Sequence, residues 1–565
     1  MSEQPQSSSL TKLSPLVFAL IFWGIVCARQ MNQSAKQAAS PAPPAPAAAS
    51  NAEAAADTHA APAPPAVKNV IFMIGDGMGV QQVSQAVLFR QLRKPEDPEL
   101  SMEKLLKGGH SGLMRTSSYG DIVTDSAAAA TAMACGQKVL NESVGLDVNG
   151  YPCETVLEKA AKLGKATGLV STTRITHATP GSFAGHQVFR DMENEIAVDM
   201  IEQHDIDVLL SGGVANLIPQ YSDEAAKVPM KVSDVPECAK LDASIDGKSK
   251  REDQKNLLAT AAGKGMVFIC KAEQLEQLNV GENTKVLGLF SASVFPMIQE
   301  RRQIASLPSL AALTQKSLDI LDKKKNGFFL MVEGGLIDYA GHDNDSGTML
   351  QETLDFDAAI GVAVAYVQQH PDTLLIVTAD HETGGFGFAY GKSPGIEMTL
   401  QSGVKYHKPY DFAAFDKFDY LINQKKSFRA MLEPITKKLY PKEVEPLAPP
   451  YTMDTAVKDL LAAVKENTSY ELSPEQAQAI LSRKPGAKDA EPEDFPEFYV
   501  HSSIHPDLMG REVAAQNHSV WAAGTHTSTP VLVMAQGPEP YSSRVRGFID
   551  NTDIAKLIDD AFNNR

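Results

Sequence analysis

Short apolar runs rich in β-branched residues recur along this chain, and each ends in polar residues and glycines. Runs of this length, bounded by glycines, are typical of buried strands. Helical patterns lie between them, for example at residues 153–163, 349–369 and 552–562. Alternating strands and helices predict an α/β fold: a large, mostly parallel central sheet, helices on both faces and a site at one edge. The runs are residues 67–74, 167–173, 328–332, 374–379 and 530–534.

Two regions do not follow this alternation. Residues from about 217 to 265 carry charge runs, and residues from about 391 to 517 form a longer, aromatic-rich segment. Long insertions at the functional end of a sheet commonly form lids or partner surfaces, and solvated decoration is the alternative for each residue in them. The sequence therefore predicts inserted lid or crown segments at 217–265 and 391–517.

The N-terminal segment has the pattern of a targeting sequence and is not expected to be part of the folded domain. Residues 16–28 are an apolar run of export-signal length, shorter than a membrane span needs, so residues 1–28 are interpreted as an export signal or a membrane anchor. Val26 before Cys27 fits a lipoprotein signal poorly, and the sequence leaves open whether the leader is cleaved, lipidated or retained. Residues 29–67 are rich in alanine and proline and form a predicted semi-rigid tether, followed by one large domain at 68–565.

The net charge of the chain limits its binding partners, and its cysteines allow disulfides. The formal net charge is -17, so the surface repels nucleic acid, and a nucleic-acid partner is not expected. A site for an anionic substrate must then supply positive charge locally, from metal ions or an arginine. Four cysteines follow the leader, at positions 135, 153, 238 and 270, and their three pairings stay open on the sequence alone.

A Thr-Asp-Ser sequence at 124–126 precedes a run of four alanines. The alanines favour a helix that begins at Ser126, with polar residues where the first backbone N–H groups need acceptors. The free N–H groups and the dipole at a helix start favour an anion beside the Ser126 hydroxyl. The segment taken alone also fits a simple capped core helix.

Seven carboxylates and imidazoles fall just after predicted strands, which is more than helix capping explains. Imidazoles mixed with carboxylates suit zinc, whereas oxygen ligands alone suit magnesium. The four-residue spacing of Asp338 and His342 places both on one face of a helix or turn. The seven are Asp76, Glu333, Asp338, His342, Asp380, His381 and His526.

Taken in order, the motifs GDGMG, TDSAAAATA, HATP, VEGGLIDYAGH, TADHETGG and THT resemble the alkaline phosphatase family. The resemblance implies two Zn²⁺ sites and one Mg²⁺ site. It implies a catalytic domain over residues 68–565 that hydrolyses phosphate monoesters through a phosphorylated Ser126. Arg190 matches the arginine that binds the phosphate, a role suited to the bidentate guanidinium. The matching zinc ligands are Asp338, His342 and His526 for one ion and Asp76, Ser126, Asp380 and His381 for the other; the magnesium ligands are Asp76, Thr179 and Glu333.

Two positions depart from the family pattern. His177 stands where some members have an aspartate around the magnesium site, which predicts an altered metal preference. Tyr339 stands where others have a lysine or histidine that helps to hold phosphate, and a tyrosine carries no positive charge at neutral pH. The sequence therefore predicts weaker phosphate binding and faster product release.

The resemblance also implies an exported, periplasmic or cell-envelope protein, with a membrane tether through the N-terminus and a homodimer as further expectations. Three alternative functions fit the sequence less well. A sulfatase needs a C/S-x-P-x-R motif, which is absent after Ser126, and related diesterases tend to use threonine as the nucleophile. A metal-stabilised binding protein without activity would be expected to lack a ligand position, and none is lost.

Overall fold

A computed structural model describes residues 67–97, 99–441, 451–483 and 503–564. The predicted leader at 1–28, and the tether at 29–67 except for Val67, lie outside the described residues. Among the described helices, none is both long and apolar enough to cross a membrane.

Within the described residues, the central sheet has ten strands: β1 (Asn69–Gly75), β2 (His110–Arg115), β3 (Ala166–Arg174), β4 (Val208–Gly212), β5 (Val267–Ile269), β6 (Val286–Leu289), β7 (Phe328–Gly334), β8 (Thr373–Thr378), β9 (Val531–Gln536) and β10 (Gly547–Asp550). Their spatial order is β10-β2-β9-β8-β1-β7-β3-β4-β6-β5. Only β9 runs against its neighbours in this sheet. The carboxyl ends of β8, β1, β7 and β3 therefore meet at one edge.

The central strands are buried along their whole length. Every residue of β1, β7 and β8 is buried, although successive side chains point to opposite faces of the sheet. Both faces must therefore be covered, as the near-continuous apolar sequence of these strands requires. The predicted fold class, a large and mostly parallel sheet flanked by helices, is confirmed.

The helices fill the connections between the strands. A π-helix at Asp199–Gln203 continues directly from α6. The α-helices of the described residues are α1 (Val80–Arg93), α2 (Ser101–Gly108), α3 (Ser126–Cys135), α4 (Val156–Lys162), α5 (Ala178–Ala184), α6 (Glu193–Val198), α7 (Leu257–Gly263), α8 (Ala272–Gln277), α9 (Ile298–Arg301), α10 (Leu310–Leu321), α11 (Leu336–His342), α12 (Ser346–Gln369), α13 (Phe418–Ile422), α14 (Phe428–Leu439), α15 (Met453–Asn467), α16 (Pro474–Ser482), α17 (Ile504–Asn517) and α18 (Thr552–Asn563).

The longer predicted insertion contains a strand pair and a group of helices. Strands Gly391–Thr399 and Lys405–Asp411 form an antiparallel hairpin with many exposed side chains. Helices α14 to α17 follow it and share a second hydrophobic core, which includes Phe428, Leu460 and Ile480. Within the described parts of the insertion, helices α14 to α17 are thus a packed unit, whereas the hairpin is largely exposed.

The four cysteines form two disulfides, Cys135–Cys153 and Cys238–Cys270. The first joins the end of α3 to the segment before α4, and the second joins the shorter insertion to the segment after β5. The sequence left three pairings open, and the packing of these segments selects this one.

Candidate active site

The carboxyl ends of three adjacent strands deliver the first site residues. Asp76 follows β1, Glu333 lies near the end of β7, and Asp380 and His381 follow β8. Because β8, β1 and β7 are parallel neighbours, these side chains emerge at the same edge of the sheet. All four are fully buried.

Helix α3 begins at Ser126, as the sequence predicts. Asp125 caps it, accepting hydrogen bonds from the backbone N–H of Ala128 at 2.9 Å and of Ala127 at 3.2 Å. The Ser126 hydroxyl oxygen lies 3.1 Å from Nε2 of His381. A buried hydroxyl at a helix start therefore faces the ligand candidates that follow β8.

The first group of ligand atoms surrounds that imidazole. Nε2 of His381 lies 3.2 Å from Asp380 Oδ2 and 3.5 Å from Asp76 Oδ1. Burial, together with the nearby His526, holds the pKa of His381 well below its ordinary value. The ring is therefore neutral and presents a lone pair, which is the form that binds a metal.

A second group joins α11 to the strand His526–Thr527. Asp338 Oδ2 lies 3.2 Å from His342 Nε2, and Asp338 Oδ1 lies 3.5 Å from His526 Nε2. The second ring nitrogens of both histidines lie by backbone carbonyls, His342 Nδ1 2.8 Å from Gly524 O and His526 Nδ1 2.9 Å from Thr124 O. Hydrogen bonds from Nδ1 to these carbonyls leave both Nε2 atoms facing Asp338, the arrangement usual around metal-bound histidines.

A third group lies between β1, β7 and α5. Single ligand atoms of Asp76, His177 and Glu333 all fall within 4.8 Å of one another. Glu333 Oε2 accepts hydrogen bonds from the hydroxyls of Ser171 and Thr173 on β3. The buried hydroxyl of Thr179, in the first turn of α5, lies beside the Glu333 carboxylate.

The electrostatics of these groups fit bound cations. Among the described residues, neither carboxylate oxygen of Asp76 has a hydrogen-bond partner, and Oε1 of Glu333 has none. Burial and the charges of Asp380, Asp338 and Glu333 raise the pKa of Asp76 well above its ordinary value. Burial and Asp338 raise the pKa of Asp380 to about 7. Buried carboxylates that face one another without donors need positive charge, and divalent cations supply it.

Arg190 is held beside the start of α3. Its Nη1 donates to Asp125 Oδ2 at 3.0 Å, and Nη2 lies 3.3 Å from His177 Nε2. Its backbone N–H donates to the carbonyl of Glu142 at 2.8 Å, which fixes the loop that carries it. Asp125 therefore both caps α3 and orients the guanidinium. The sequence predicts the cap but not the contact with Arg190.

A cavity of about 220 Å³ opens beside Arg190 and His342. Two further arginines line it, and each is paired with a carboxylate: Arg174 with Glu193, and Arg429 with Asp343. The guanidinium carbon of Arg429 lies 5.8 Å from the centre of the Tyr339 ring. Arg429 belongs to the insertion at 391–517, and no motif around it in the sequence indicates a place at the site.

The structure thus brings the ten predicted site residues to one edge of the sheet. Arg190 lies at the start of α3 with Ser126, and the remaining residues form the three adjoining groups. The first and third groups share Asp76, and single ligand atoms of Asp338, His381 and His526 lie within 4.8 Å of one another, which joins the first group to the second. Sequence reasoning missed Asp125 as the partner of Arg190, and it missed Arg174, Arg429 and Ser503, which line the cavity.

Comparison with known proteins agrees with this geometry. The family model "Alkaline phosphatase" matches residues 67–563. Alkaline phosphatase 3 of Bacillus subtilis is 32% identical over 503 residues, which cover 87% of this chain and 88% of the relative. The repressible alkaline phosphatase of Saccharomyces cerevisiae is 37% identical over 336 residues, covering 56% of this chain and 55% of the relative. The crystal structure of Thermus thermophilus alkaline phosphatase superposes with a TM-score of 0.70 at 27% identity, covering 89% of this chain and 93% of that one. The chain therefore belongs to the alkaline phosphatase family.

Proposed function

We propose that this chain hydrolyses phosphate monoesters to an alcohol and inorganic phosphate, with Ser126 as the nucleophile and Arg190 as the phosphate-binding residue. The observation that carries the proposal is the position of the Ser126 hydroxyl. It is buried at a helix start, 3.1 Å from Nε2 of His381. That nitrogen lies 3.5 Å from Asp76, whose carboxylate oxygens have no hydrogen-bond partner among the described residues. A serine hydroxyl is a weak nucleophile at its ordinary pKa and needs such surroundings to react.

The ligand groups would hold three divalent cations. Asp338, His342 and His526 would hold one Zn²⁺; Asp76, Ser126, Asp380 and His381 the other; Asp76, Thr179 and Glu333 the Mg²⁺. Bound there, these cations would make the Ser126 oxygen available as a nucleophile and would neutralise charge on the leaving oxygen. The imidazole of His177 adds a nitrogen donor beside Glu333, which supports the expected change in metal preference at the third site.

The chain's own groups then carry the reaction. The Ser126 oxygen attacks phosphorus, the bond from phosphorus to the alcohol oxygen breaks, and a phosphoserine results. The proton of Ser126 passes through solvent to the departing alcohol oxygen. Water then attacks the same phosphorus, the bond to Ser126 breaks, one proton of the water passes to the Ser126 oxygen, and inorganic phosphate leaves. Arg190 stabilises the phosphate oxygens in both steps, and the positive end of the α3 dipole adds to this stabilisation.

The compartment and assembly form part of the same proposal. Two disulfides are typical of proteins that fold in an oxidising compartment, which supports export to the periplasm or cell envelope. A membrane tether through the N-terminus and a homodimer are the further expectations from the leader pattern and from the family.

Hydrolysis of p-nitrophenyl phosphate by the purified chain tests the proposed activity. Absence of hydrolysis with Zn²⁺ and Mg²⁺ added would contradict the proposal.

Replacing Arg190 tests its role in binding the phosphate. We expect Arg190→Ala to lower kcat/KM by on the order of 10²–10³-fold, since it removes a preorganised donor to the transferring group. Arg190→Lys keeps the positive charge but loses the bidentate geometry, so we expect an intermediate loss. Steady-state kinetics measure both variants. Unchanged kcat/KM in Arg190→Ala would contradict the assignment.

Replacing Tyr339 tests the predicted weak binding of product. Burial raises the pKa of the Tyr339 hydroxyl, so this side chain is neutral at the site. We expect Tyr339→His to strengthen inhibition by inorganic phosphate about tenfold, because an imidazolium can donate a charged hydrogen bond. Tyr339→Phe is the matched control, since it removes the hydroxyl without adding charge. Equal inhibition constants for Tyr339→His and the wild type would show the prediction to be wrong.

A further inference from the structure

A second set of ligand side chains lies apart from the groups described above. It consists of Glu158 on α4, His186 in the loop after α5, and His204 directly after the π-helix Asp199–Gln203. Nε2 of His186 lies 3.2 Å from Glu158 Oε1, and Nε2 of His204 lies 3.9 Å from the same oxygen. One ligand atom from each of the three residues falls within 4.8 Å of the others.

The His186 ring and the Glu158 carboxylate present their ligand atoms to each other. Nδ1 of His186 lies 2.7 Å from the Gly145 carbonyl oxygen, so a hydrogen bond there leaves Nε2 facing Glu158. Gly145 has φ +60, and a Cβ there would lie 2.8 Å from His186 Nδ1, so this contact requires glycine. The other carboxylate oxygen of Glu158, Oε2, accepts the backbone N–H of Thr155 at 2.8 Å. These contacts orient the His186 ring and the Glu158 carboxylate through the atoms that are not ligand atoms, as hydrogen-bond partners of metal ligands commonly do.

His204 provides the observation that points to a ligand. Its Nε2 is buried and has no hydrogen-bond partner among the described residues. Its side chain is only 15% exposed, and burial lowers its pKa, so the ring is neutral with a lone pair available. A buried imidazole nitrogen left unpaired costs free energy unless something binds it.

The surroundings carry enough negative charge for a cation. Asp199 Oδ2 accepts the backbone N–H of His186 at 3.0 Å and the side-chain amide of Gln187 at 2.7 Å. Lys264 donates to the backbone carbonyl of His204 at 3.0 Å and is a nearby positive charge, whereas Lys162, which also lies near Glu158, is paired with Glu154. Glu158 and Asp199 together outweigh Lys264.

We propose that Glu158, His186 and His204 bind a Zn²⁺ ion, with water as the fourth ligand. Two imidazoles and one carboxylate are a donor set that zinc prefers, whereas magnesium would require oxygen ligands. Tetrahedral zinc with bonds of about 2.0–2.1 Å separates its ligand atoms by roughly 3.3–3.4 Å. The observed separations from Glu158 Oε1, 3.2 and 3.9 Å, bracket that spacing.

The ion would stabilise the loop that carries Arg190. His186 begins this loop, Gln187 pairs with Val144 in an isolated bridge, and Arg190 donates its backbone N–H to Glu142. Zinc at His186 would join this loop to α4 and to the end of the π-helix. The alternative is a Glu158–His186 ion pair alone, since the Glu158 carboxylate raises the pKa of His186 although burial opposes it.

The zinc content of the purified protein distinguishes the proposed zinc site from a Glu158–His186 ion pair without metal. The wild type, His204→Gln and the matched control His407→Gln are dialysed against the same buffer with micromolar free Zn²⁺, and bound zinc per chain is measured by mass spectrometry. His407 also lies near a glutamate, Glu397, but on the exposed hairpin, and it belongs to no group of three such ligands among the described residues. We expect His204→Gln to bind one zinc ion fewer than both other proteins. Equal zinc content in all three would overturn the proposal.

A crystallographic measurement needs no variant and covers the case in which His204→Gln fails to fold. Wild-type crystals are soaked in micromolar Zn²⁺, and anomalous scattering is collected above and below the zinc edge. We expect a peak between Glu158, His186 and His204, in addition to any peaks at the active site. Absence of this peak, or its appearance only at millimolar Zn²⁺, would overturn the proposal whether or not the active site is loaded.

Discussion

Replacing Ser126 with alanine is expected to lower kcat for p-nitrophenyl phosphate by on the order of 10⁴-fold or more, the range in which loss of a covalent nucleophile falls. The loss follows from the structure because the hydroxyl is the only group deleted. The helix that begins at Ser126 keeps its cap, since Asp125 accepts the backbone N–H groups of Ala127 and Ala128 and not the hydroxyl. The backbone of α3 should therefore stay in place.

Binding of inorganic phosphate is the companion measurement. Arg190 and the start of α3 are intact in Ser126→Ala, so the variant should still bind phosphate while turnover is lost. Ser182→Ala is the matched control, because Ser182 is also buried and donates to the carbonyl of Ala127 on α3 at 3.2 Å. It should change stability more than kcat. Turnover near the wild-type rate in Ser126→Ala would contradict a covalent role for this residue.

Removal of metal ions is expected to abolish hydrolysis and to make stability fall with rising pH. In the metal-free fold the pKa values of Asp76 and Glu333 are raised, and that of Asp380 is about 7. A carboxyl whose pKa is raised by folding contributes stability below its unfolded pKa of about 4 and loses it as pH rises through the folded pKa. His342 and His526 hold the pKa of Asp338 well below its ordinary value, although burial opposes this shift. Asp338 therefore contributes stability above its unfolded pKa, and this contribution is lost only as the pH falls through its folded pKa.

Thermal melting of loaded and chelated protein between pH 5 and pH 8 measures this effect. Buried carboxyls elsewhere also have raised pKa values, about 6 for Asp345 and about 7 for Glu352, so the informative quantity is the difference between the two forms. We expect that difference to widen as pH rises. Asp380→Asn removes one of the repelling charges and should make the chelated protein more stable at pH 8. A constant difference, or full activity after chelation, would contradict the metal account.

The sequence predicts the parts of this fold that depend on local pattern. Runs of β-branched residues predict the central strands, and the Thr-Asp-Ser start predicts the first residue of α3, because a cap and its alanine run are neighbours in the chain. The position of the ligand candidates at one sheet edge was predictable because parallel strands have their carboxyl ends at the same edge. These inferences need only residue type, spacing and the rule of parallel order.

Features that depend on packing between distant segments were not predictable in this way. Arg429 reaches the cavity only because the insertion packs against α11 and α12, and it pairs there with Asp343. Glu158, His186 and His204 sit in three separate elements, and nothing in their spacing indicates that they meet. The disulfide pairing likewise follows from the positions of whole segments.

Acid quench during turnover tests the central claim most directly. At a pH low enough to slow the second step, the wild type is mixed with a phosphate monoester, quenched in acid and digested, and its peptides are examined by mass spectrometry. A phosphoryl group on the peptide that contains Ser126, and on none from Ser126→Ala, is the predicted result. A phosphoryl group on another residue, or hydrolysis with no phosphorylated peptide at any quench time, would contradict the account.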